Sequence, residues 1–144
     1  MPFYFGPRSV MLYLLYRSDH PELDYNGGQE PIIHFVSDMH KTIRWAVENN
    51  LKYAFTTSNA GSEYFRDYTN KADLDKINWN AVNTNNWQNC REEKQAEFLI
   101  EKCFPWNLIE FIGVYSDIQL QQLSKILDNT EHQPQIAVKR EWYY

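Results

Sequence analysis

Residues 95–101 carry the pattern that most restricts what this chain can fold into, an alternation of polar and apolar side chains. Successive side chains of a β-strand point to opposite faces of the sheet, so Phe98 and Ile100 are predicted to share one face. Gln95 and Glu97 fall at the intervening positions and are predicted to point together from the other face. The pattern therefore predicts a strand that buries one side and presents a Gln-x-Glu pair on the other.

Other short apolar runs predict the rest of a sheet. They are residues 32–36, 53–56, 108–115, and 136–138 together with the terminal residues 142–144. The first run is β-branched and follows Pro31, which is typical of a buried strand.

Helical patterns lie between these runs. Asp38 is a candidate cap for one helix, Asp73 is a candidate cap for a short second helix, and residues 120–127 predict an amphipathic third. The residues predicted on the apolar face of the first helix are Thr42, Ile43, Ala46 and Val47. Residues 18–30 and most of residues 78–89 predict loops. The expected fold class is α+β, dominated by its sheet.

Length and composition set further limits. With 144 residues, 43% of them hydrophobic, the chain suffices for one substantial core, and a single domain over residues 1–144 is expected. The net charge of −5 argues against a chain-wide basic surface, so any nucleic-acid site must be local. No apolar run reaches the length of a membrane helix, and the first residues lack signal-peptide features. We therefore expect no membrane partner and a cytoplasmic location.

The residue types that bind metals are too scattered to predict a metal site. Cys90 and Cys103 form no CxxC pair, and the four histidines show no HExxH-like spacing. We expect both thiols to be reduced and no metal cofactor to be bound.

Several segments resemble, in content and order, one family of enzymes. They are PFYFGPRS at residues 2–9 with MLY at 11–13, the strand at 32–37, DLDKINW at 73–79, QAEFL at 95–99 leading to FPW at 104–106, and KREWYY at 139–144. This arrangement covers nearly the whole chain and resembles the DarT-type DNA ADP-ribosyltransferase toxins.

The resemblance implies an ADP-ribosyltransferase fold, in which a split β-sheet with flanking helices holds NAD in a cleft. It implies transfer of ADP-ribose from NAD to thymine bases in single-stranded DNA, as the toxin of a toxin–antitoxin system. The implied partners are single-stranded DNA and a macrodomain antitoxin of the DarG type, which removes the mark.

On this resemblance, Glu97 is the catalytic acid. Breaking the bond between nicotinamide and ribose passes through an oxocarbenium-like state, and a nearby carboxylate stabilises that charge. Glu97 can also accept the proton that a thymine nitrogen loses. Gln95 is predicted to hydrogen-bond the acceptor, because an amide offers a donor and an acceptor without adding charge. Without the resemblance, a glutamate on a strand face is an ordinary solvated charge.

Further contacts are predicted around this pair. Arg8 is predicted to contact a phosphate of NAD or DNA, and Arg91 and Lys94 are predicted to meet the DNA backbone. The aromatic residues predicted to stack on nicotinamide or bases are Tyr4, Phe5, Tyr13 and Trp87. The alternative interpretations are hydrated surface cations and core aromatics.

The chain departs from the family's pattern at three places. It begins after a segment that, in the family, supplies a first strand with a His that grips NAD and an Arg near the nicotinamide, so an N-terminally truncated domain is expected. Residues 55–60 read FTTSNA where FTDGHA is usual, so Asn59 stands at a predicted NAD contact where a His is common. The acidic pair Glu92 and Glu93 replaces a more basic run.

Two alternatives stay open. The chain can be an inactive remnant that binds the antitoxin or nucleic acid without holding NAD. It can instead be an ADP-ribosyltransferase that acts on RNA or protein, because the Gln-x-Glu form also occurs in enzymes with other acceptors.

Overall fold

A computed structural model describes residues 1–18 and 24–144. The described chain forms two compact units. The first comprises Met1–Val10 and Thr42–Phe104, and the second comprises Met11–Lys41 and Pro105–Tyr144. Residues 19–23, inside the loop predicted at residues 18–30, lie outside the described part. The expectation of one domain stays a prediction.

The chain combines helices with strands that pair mostly antiparallel, which confirms the predicted α+β class. The strands are β1 (Pro2–Tyr4), β2 (His34–Val36), β3 (Tyr53–Thr56), β4 (Asp67–Tyr68), β5 (Glu97–Ile100), β6 (Phe111–Val114) and β7 (Gln135–Val138). The helices are α1 (Val10–Arg17), α2 (Met39–Glu48), α3 (Trp79–Asn83), α4 (Arg91–Lys94) and α5 (Asp117–Leu127). Short 3-10 helices lie at Lys71–Lys76, Trp106–Leu108 and Arg140–Trp142.

The first unit is built on an antiparallel sheet of order β1-β5-β3-β4. Because β5 lies between β1 and β3, its backbone is hydrogen-bonded along both edges. Phe55 on β3 pairs with Phe98 on β5, and both side chains are buried. Burying each ring contributes about 1.5 to 3 kcal/mol to stability, which anchors the centre of this sheet.

The second unit is built on a sheet of order β2-β6-β7. β6 and β7 run parallel, and α5 supplies the crossover that a parallel pair requires. This helix begins with a capping box, in which Ser116 and Gln119 satisfy each other's backbone amides. Ile112 and Val114 of the middle strand β6 are fully buried.

Two predictions about strands were wrong. The run at residues 32–36 was expected to form a buried strand, but β2 is an edge strand whose Phe35 is 50% exposed and whose Val36 is 38% exposed. A β-branched run does not reveal whether a strand lies at the edge or in the middle of a sheet. The final strand is β7 alone, because Arg140–Trp142 forms a 3-10 helix instead of extending it.

The helix predictions were partly correct. Asp38 caps α2 as expected, since its Oδ1 accepts from the amide of Lys41 at 2.8 Å. Thr42, Ile43 and Ala46 are buried, but Val47, expected on the same face, is 63% exposed.

The region after β4 holds two capping asparagines that the sequence analysis missed. Asn70, rather than Asp73, caps the 3-10 helix at Lys71–Lys76, and Asp73 instead pairs with Lys76 at 2.7 Å. Asn78 caps α3 by accepting from the amide of Ala81, within a segment expected to be loop. Asparagine favours both turns and helix starts, so an Asn-rich run does not distinguish them.

His34 gives the second unit a pH dependence. Its Nε2 is buried with no hydrogen-bond partner among the described residues, and its ring meets the edges of Trp142 and Tyr143. Burial lowers the pKa of His34 from 6.5 to about 4. Stability from the neutral ring is therefore complete above pH 6.5 and lost as the pH falls toward 4.

Full burial of the ring would lower the free energy of unfolding by about 3 kcal/mol as the pH falls from 7.5 to 4.5. Because this ring is partly solvated, we expect about half of that loss. Urea denaturation at pH 7.5 and pH 4.5 measures the loss. The His34→Phe variant keeps the aromatic packing without the titration and should lose less between the two values. Equal losses in the variant and the unaltered protein would contradict this role.

Candidate active site

Glu97 is the first residue of β5, and its side chain is only 8% exposed. It stands directly opposite Tyr4 on β1. Directly opposed residues of an antiparallel pair project from the same face of the sheet, so the phenol and the carboxyl group are neighbours. The alternation of residues 95–101 predicted the strand but placed Glu97 on its open face, and this burial corrects that expectation.

Thr56 fixes the backbone at which β5 begins. Its Oγ1 accepts from the amide of Glu97 at 3.0 Å and donates to the carbonyl of Ser58 at 2.6 Å. The side chain is fully buried. A single hydroxyl thereby ties the candidate acid to the loop that follows β3.

The surroundings of Glu97 make it a stronger base than an ordinary glutamate. Burial raises the pKa of Glu97, and a hydrogen bond from the backbone amide of Ala60 offsets part of that rise. The pKa of Tyr4 is raised as well, first by burial and then by the charge of Glu97. A carboxylate held in this way is suited to accepting a proton or stabilising a developing positive charge.

Gln95 does not lie on the strand, contrary to expectation. It is the C-cap of α4, and its Nε2 donates to the carbonyl of Arg91 at 3.1 Å. The Nδ2 of Asn59 donates to its Oε1 at 3.3 Å. The loop after β3 therefore orients both members of the predicted pair, with Asn59 contacting Gln95 and Ala60 contacting Glu97.

Lys94 was predicted to meet the DNA backbone, and the structure corrects this. The side chain is 7% exposed, and its Nζ donates to the carbonyls of Val82 at 2.5 Å and Thr84 at 2.9 Å. Burial lowers the pKa of Lys94, and the charge of nearby Arg8 lowers it further. Lys94 therefore secures the end of α3 and is not a surface cation.

The other predicted cations differ in exposure. Arg8 is half-buried, and its charge acts on Lys94, which sits one residue before Gln95. Arg91 is exposed in the first turn of α4. Arg8 thus lies in the same unit as Glu97, and its charge lowers the pKa of Lys94, which precedes the Gln-x-Glu segment. Arg91 instead faces solvent.

The predicted stacking residues fall in different places. Tyr4 is 38% exposed beside Glu97, and Phe5 packs edge-on against Trp79 at 5.3 Å between ring centroids. Tyr13 belongs to the second unit, where its ring meets that of Tyr144 at 5.1 Å. Among the predicted stacking residues, Tyr4 is the cross-strand partner of Glu97.

Thr56 and Ala60 are the site residues that the sequence analysis missed. One acts through a buried hydroxyl and the other through a backbone amide, and neither carries a side-chain type that marks a site. The available signal was the run of small polar residues directly after β3.

Two absences hold for the described residues. No group of three or more His, Cys, Asp or Glu side chains is placed to hold a metal ion. In the same part of the chain, no helix is long and apolar enough to span a membrane.

Comparison with known proteins identifies the family of the chain. The family model described as "ssDNA thymidine ADP-ribosyltransferase, DarT" matches residues 1–144. A DNA ADP-ribosyl transferase of Thermus aquaticus is 38% identical over 146 residues. The match covers 100% of this chain and 63% of the length of the relative. The chain thus spans less than two thirds of that relative's length.

Solved structures resemble the fold closely. Thermus sp. 2.9 DarT in complex with NAD+ matches with a TM-score of 0.88 and 36% identity, over 99% of this chain and 71% of its own. The same protein in complex with ADP-ribosylated single-stranded DNA matches with a TM-score of 0.87 and 36% identity, over 99% of this chain and 68% of its own. The expected ADP-ribosyltransferase-like fold is confirmed, and the chain belongs to the DarT family.

Proposed function

We propose that this chain transfers ADP-ribose from NAD to a thymine base in single-stranded DNA, with Glu97 as its catalytic residue. The observation that carries the proposal is a buried, basic carboxylate at the start of an inner strand, oriented by the Ala60 amide and flanked by Tyr4. Relatives named DNA ADP-ribosyl transferase, and one relative solved with NAD+ and with ADP-ribosylated DNA, support the choice of substrates.

Glu97 has two tasks in this reaction. The bond between ribose and nicotinamide breaks with its electron pair going to nicotinamide, and the ionised carboxylate stabilises the positive charge that remains on the ribose. A thymine nitrogen then bonds to the ribose carbon, and its proton passes to the carboxylate directly or through water. The raised pKa of Glu97 favours the second task because a stronger base holds that proton better.

Gln95 is the residue proposed to hold the acceptor base. Its amide already engages Arg91 and Asn59, yet Nε2 keeps a second hydrogen and Oε1 keeps a second lone pair. Thymine presents an N–H between two carbonyl groups, which an amide can match with one donor and one acceptor. Asn59 is therefore proposed to position Gln95 for the acceptor, and its contact with NAD stays a prediction.

The residues around Glu97 fit NAD as a co-substrate. The half-exposed ring of Tyr4 offers a face for nicotinamide, and Phe5 follows it in the chain. The guanidinium of Arg8 can pair with a phosphate in a bidentate manner. Arg91, exposed on α4, is proposed to contact the DNA backbone. Tyr13 stays a proposed stacking residue.

The family also suggests a biological setting. We propose that this chain acts as the toxin of a toxin–antitoxin system, and that its partner is a macrodomain antitoxin of the DarG type that removes ADP-ribose from DNA.

An acceptor panel tests the substrate class. The protein is incubated with labelled NAD and an oligonucleotide carrying one thymine, and the controls replace that thymine by cytosine, the single strand by its duplex, or DNA by the corresponding RNA. We expect labelling of the thymine-containing single strand alone. The Gln95→Ala variant should label this strand at least about 10-fold more slowly than the unaltered protein. It should still cleave NAD with water.

Other outcomes would redirect the proposal. Labelling of RNA in preference to DNA would transfer the function to an RNA acceptor. No labelling of any acceptor by folded protein would favour the inactive remnant.

A further inference from the structure

The loop between β3 and β4, residues 57–66, ends in an unusual surface feature. Tyr64 is 86% exposed, and its neighbour Phe65 is 41% exposed. A large aromatic ring left in water forgoes the stabilisation that burial provides, so adjacent exposed rings mark a contact surface. We call these two residues the aromatic tip.

Hydrogen bonds link the aromatic tip to the candidate active site. The side chain of Asn59 donates to Gln95, and the amide of Ser62 donates to the carbonyl of Asn59 at 3.1 Å. The amide of Tyr64 then donates to Ser62 Oγ at 3.3 Å. The amide of Gly61 also donates to Asn59 Oδ1 at 2.8 Å, which tightens the turn. The loop that orients Gln95 and Glu97 therefore also holds the aromatic tip.

The distance along this loop is short. Tyr64 follows Asn59 by five positions, so their two Cα atoms lie at most about 17 Å apart even if the segment were fully extended. The tip is thus within reach of nucleotides next to one held at Gln95.

The charges of this loop favour stacking over phosphate binding. Arg66 is exposed beside the tip, but Glu63 and Asp67 flank the same segment and are also exposed. With a net charge of −5 on the chain, attraction to phosphates is weak here. Aromatic stacking does not depend on net charge and accepts any base.

We propose that Tyr64 and Phe65 form a stacking surface for the bases that adjoin the target thymine in single-stranded DNA. This inference rests on the proposed function, because it takes DNA as the substrate bound at Gln95. The aromatic tip then sets DNA affinity without taking part in bond breaking.

Binding measured without NAD tests the inference separately from catalysis. Fluorescence anisotropy of a labelled, thymine-containing single strand is compared for the unaltered protein and a Tyr64→Ala, Phe65→Ala double variant. We expect binding to weaken by about 5- to 150-fold, the range for losing one stacked base. The control Phe35→Ala removes a ring that is 50% exposed in the second unit and should leave binding unchanged.

Two further measurements separate stacking from general damage. Tyr64→Trp should bind at least as well as the unaltered protein, because a larger ring is restored. Replacing the bases beside the thymine with abasic sites should weaken binding to the unaltered protein but have little further effect on the double variant. In turnover assays, the double variant should raise KM for DNA while leaving kcat and NAD cleavage by water unchanged.

Equal binding by the double variant and the unaltered protein would overturn the inference. The inference would also be overturned if abasic sites beside the thymine weakened binding to both proteins by the same factor. Because binding is read without NAD, a protein that binds DNA through the tip but transfers no ADP-ribose would refute the proposed function alone.

Discussion

Replacing Glu97 with glutamine is expected to lower the rate of ADP-ribosyl transfer by about 100- to 10,000-fold, the range for losing an acid–base group. The amide keeps the size of the side chain and still accepts from Ala60. It carries no charge to stabilise the reacting ribose, and it cannot take the proton from thymine. Steady-state turnover of NAD with a DNA acceptor measures the loss.

The same substitution is expected to stabilise the fold at neutral pH. Burial raises the pKa of Glu97 above its ordinary value of 4.5, so the folded state favours the protonated carboxyl group. That preference contributes stability below pH 4.5 and is lost as the pH rises through the pKa of the folded state. At pH 7.5 the unaltered protein holds a buried charge that Glu97→Gln removes.

Thermal denaturation at pH 4 and pH 7.5 provides the check. Glu97→Gln should show a higher Tm than the unaltered protein at pH 7.5, and a smaller difference at pH 4. A variant that kept more than a tenth of the activity would contradict the catalytic assignment. A lower Tm at pH 7.5 would contradict the electrostatic account.

Replacing Lys94 with methionine is expected to cost about 3 kcal/mol of unfolding free energy. Methionine retains the packing of the aliphatic stem, but the carbonyls of Val82 and Thr84 lose their charged donor. Buried acceptors left without partners cost about 1 to 3 kcal/mol, and hydrogen bonds from charged groups lie at the upper end. Urea denaturation measures the change.

Arg91→Met is the matched control, because Arg91 lies on the same helix α4 but is exposed. It should shift stability by no more than about 0.5 kcal/mol. If Lys94→Met proved as stable as the unaltered protein and instead weakened DNA binding, the structural role of Lys94 would be wrong.

The sequence predicted the strand at Glu97 and the helix after Asp38 because both depend on local patterns. Alternating side chains and a capping aspartate leave their mark within a few residues. The start of β5 was misplaced by two residues, since Gln95 continues the polar alternation although it caps α4. Single-sequence patterns do not separate such continuations from the strand itself.

The candidate site was harder to predict, because its properties come from tertiary contacts. Glu97 is buried on a strand that lies between β1 and β3, and no pattern within residues 95–101 encodes that burial. Lysine side chains are usually exposed to solvent, so the residue type gave no indication that Lys94 is buried against the carbonyl of Val82 in α3. Asn59 contacts Gln95 from 36 residues away, a separation that local patterns do not span.

Tandem mass spectrometry of a single-stranded oligonucleotide with one thymine, incubated with NAD and this chain, is the decisive experiment for the role of Glu97. We expect ADP-ribose attached to the thymine base with the unaltered protein, and none above background with Glu97→Gln. ADP-ribose attached elsewhere, or attached equally by the Glu97→Gln variant, would contradict it.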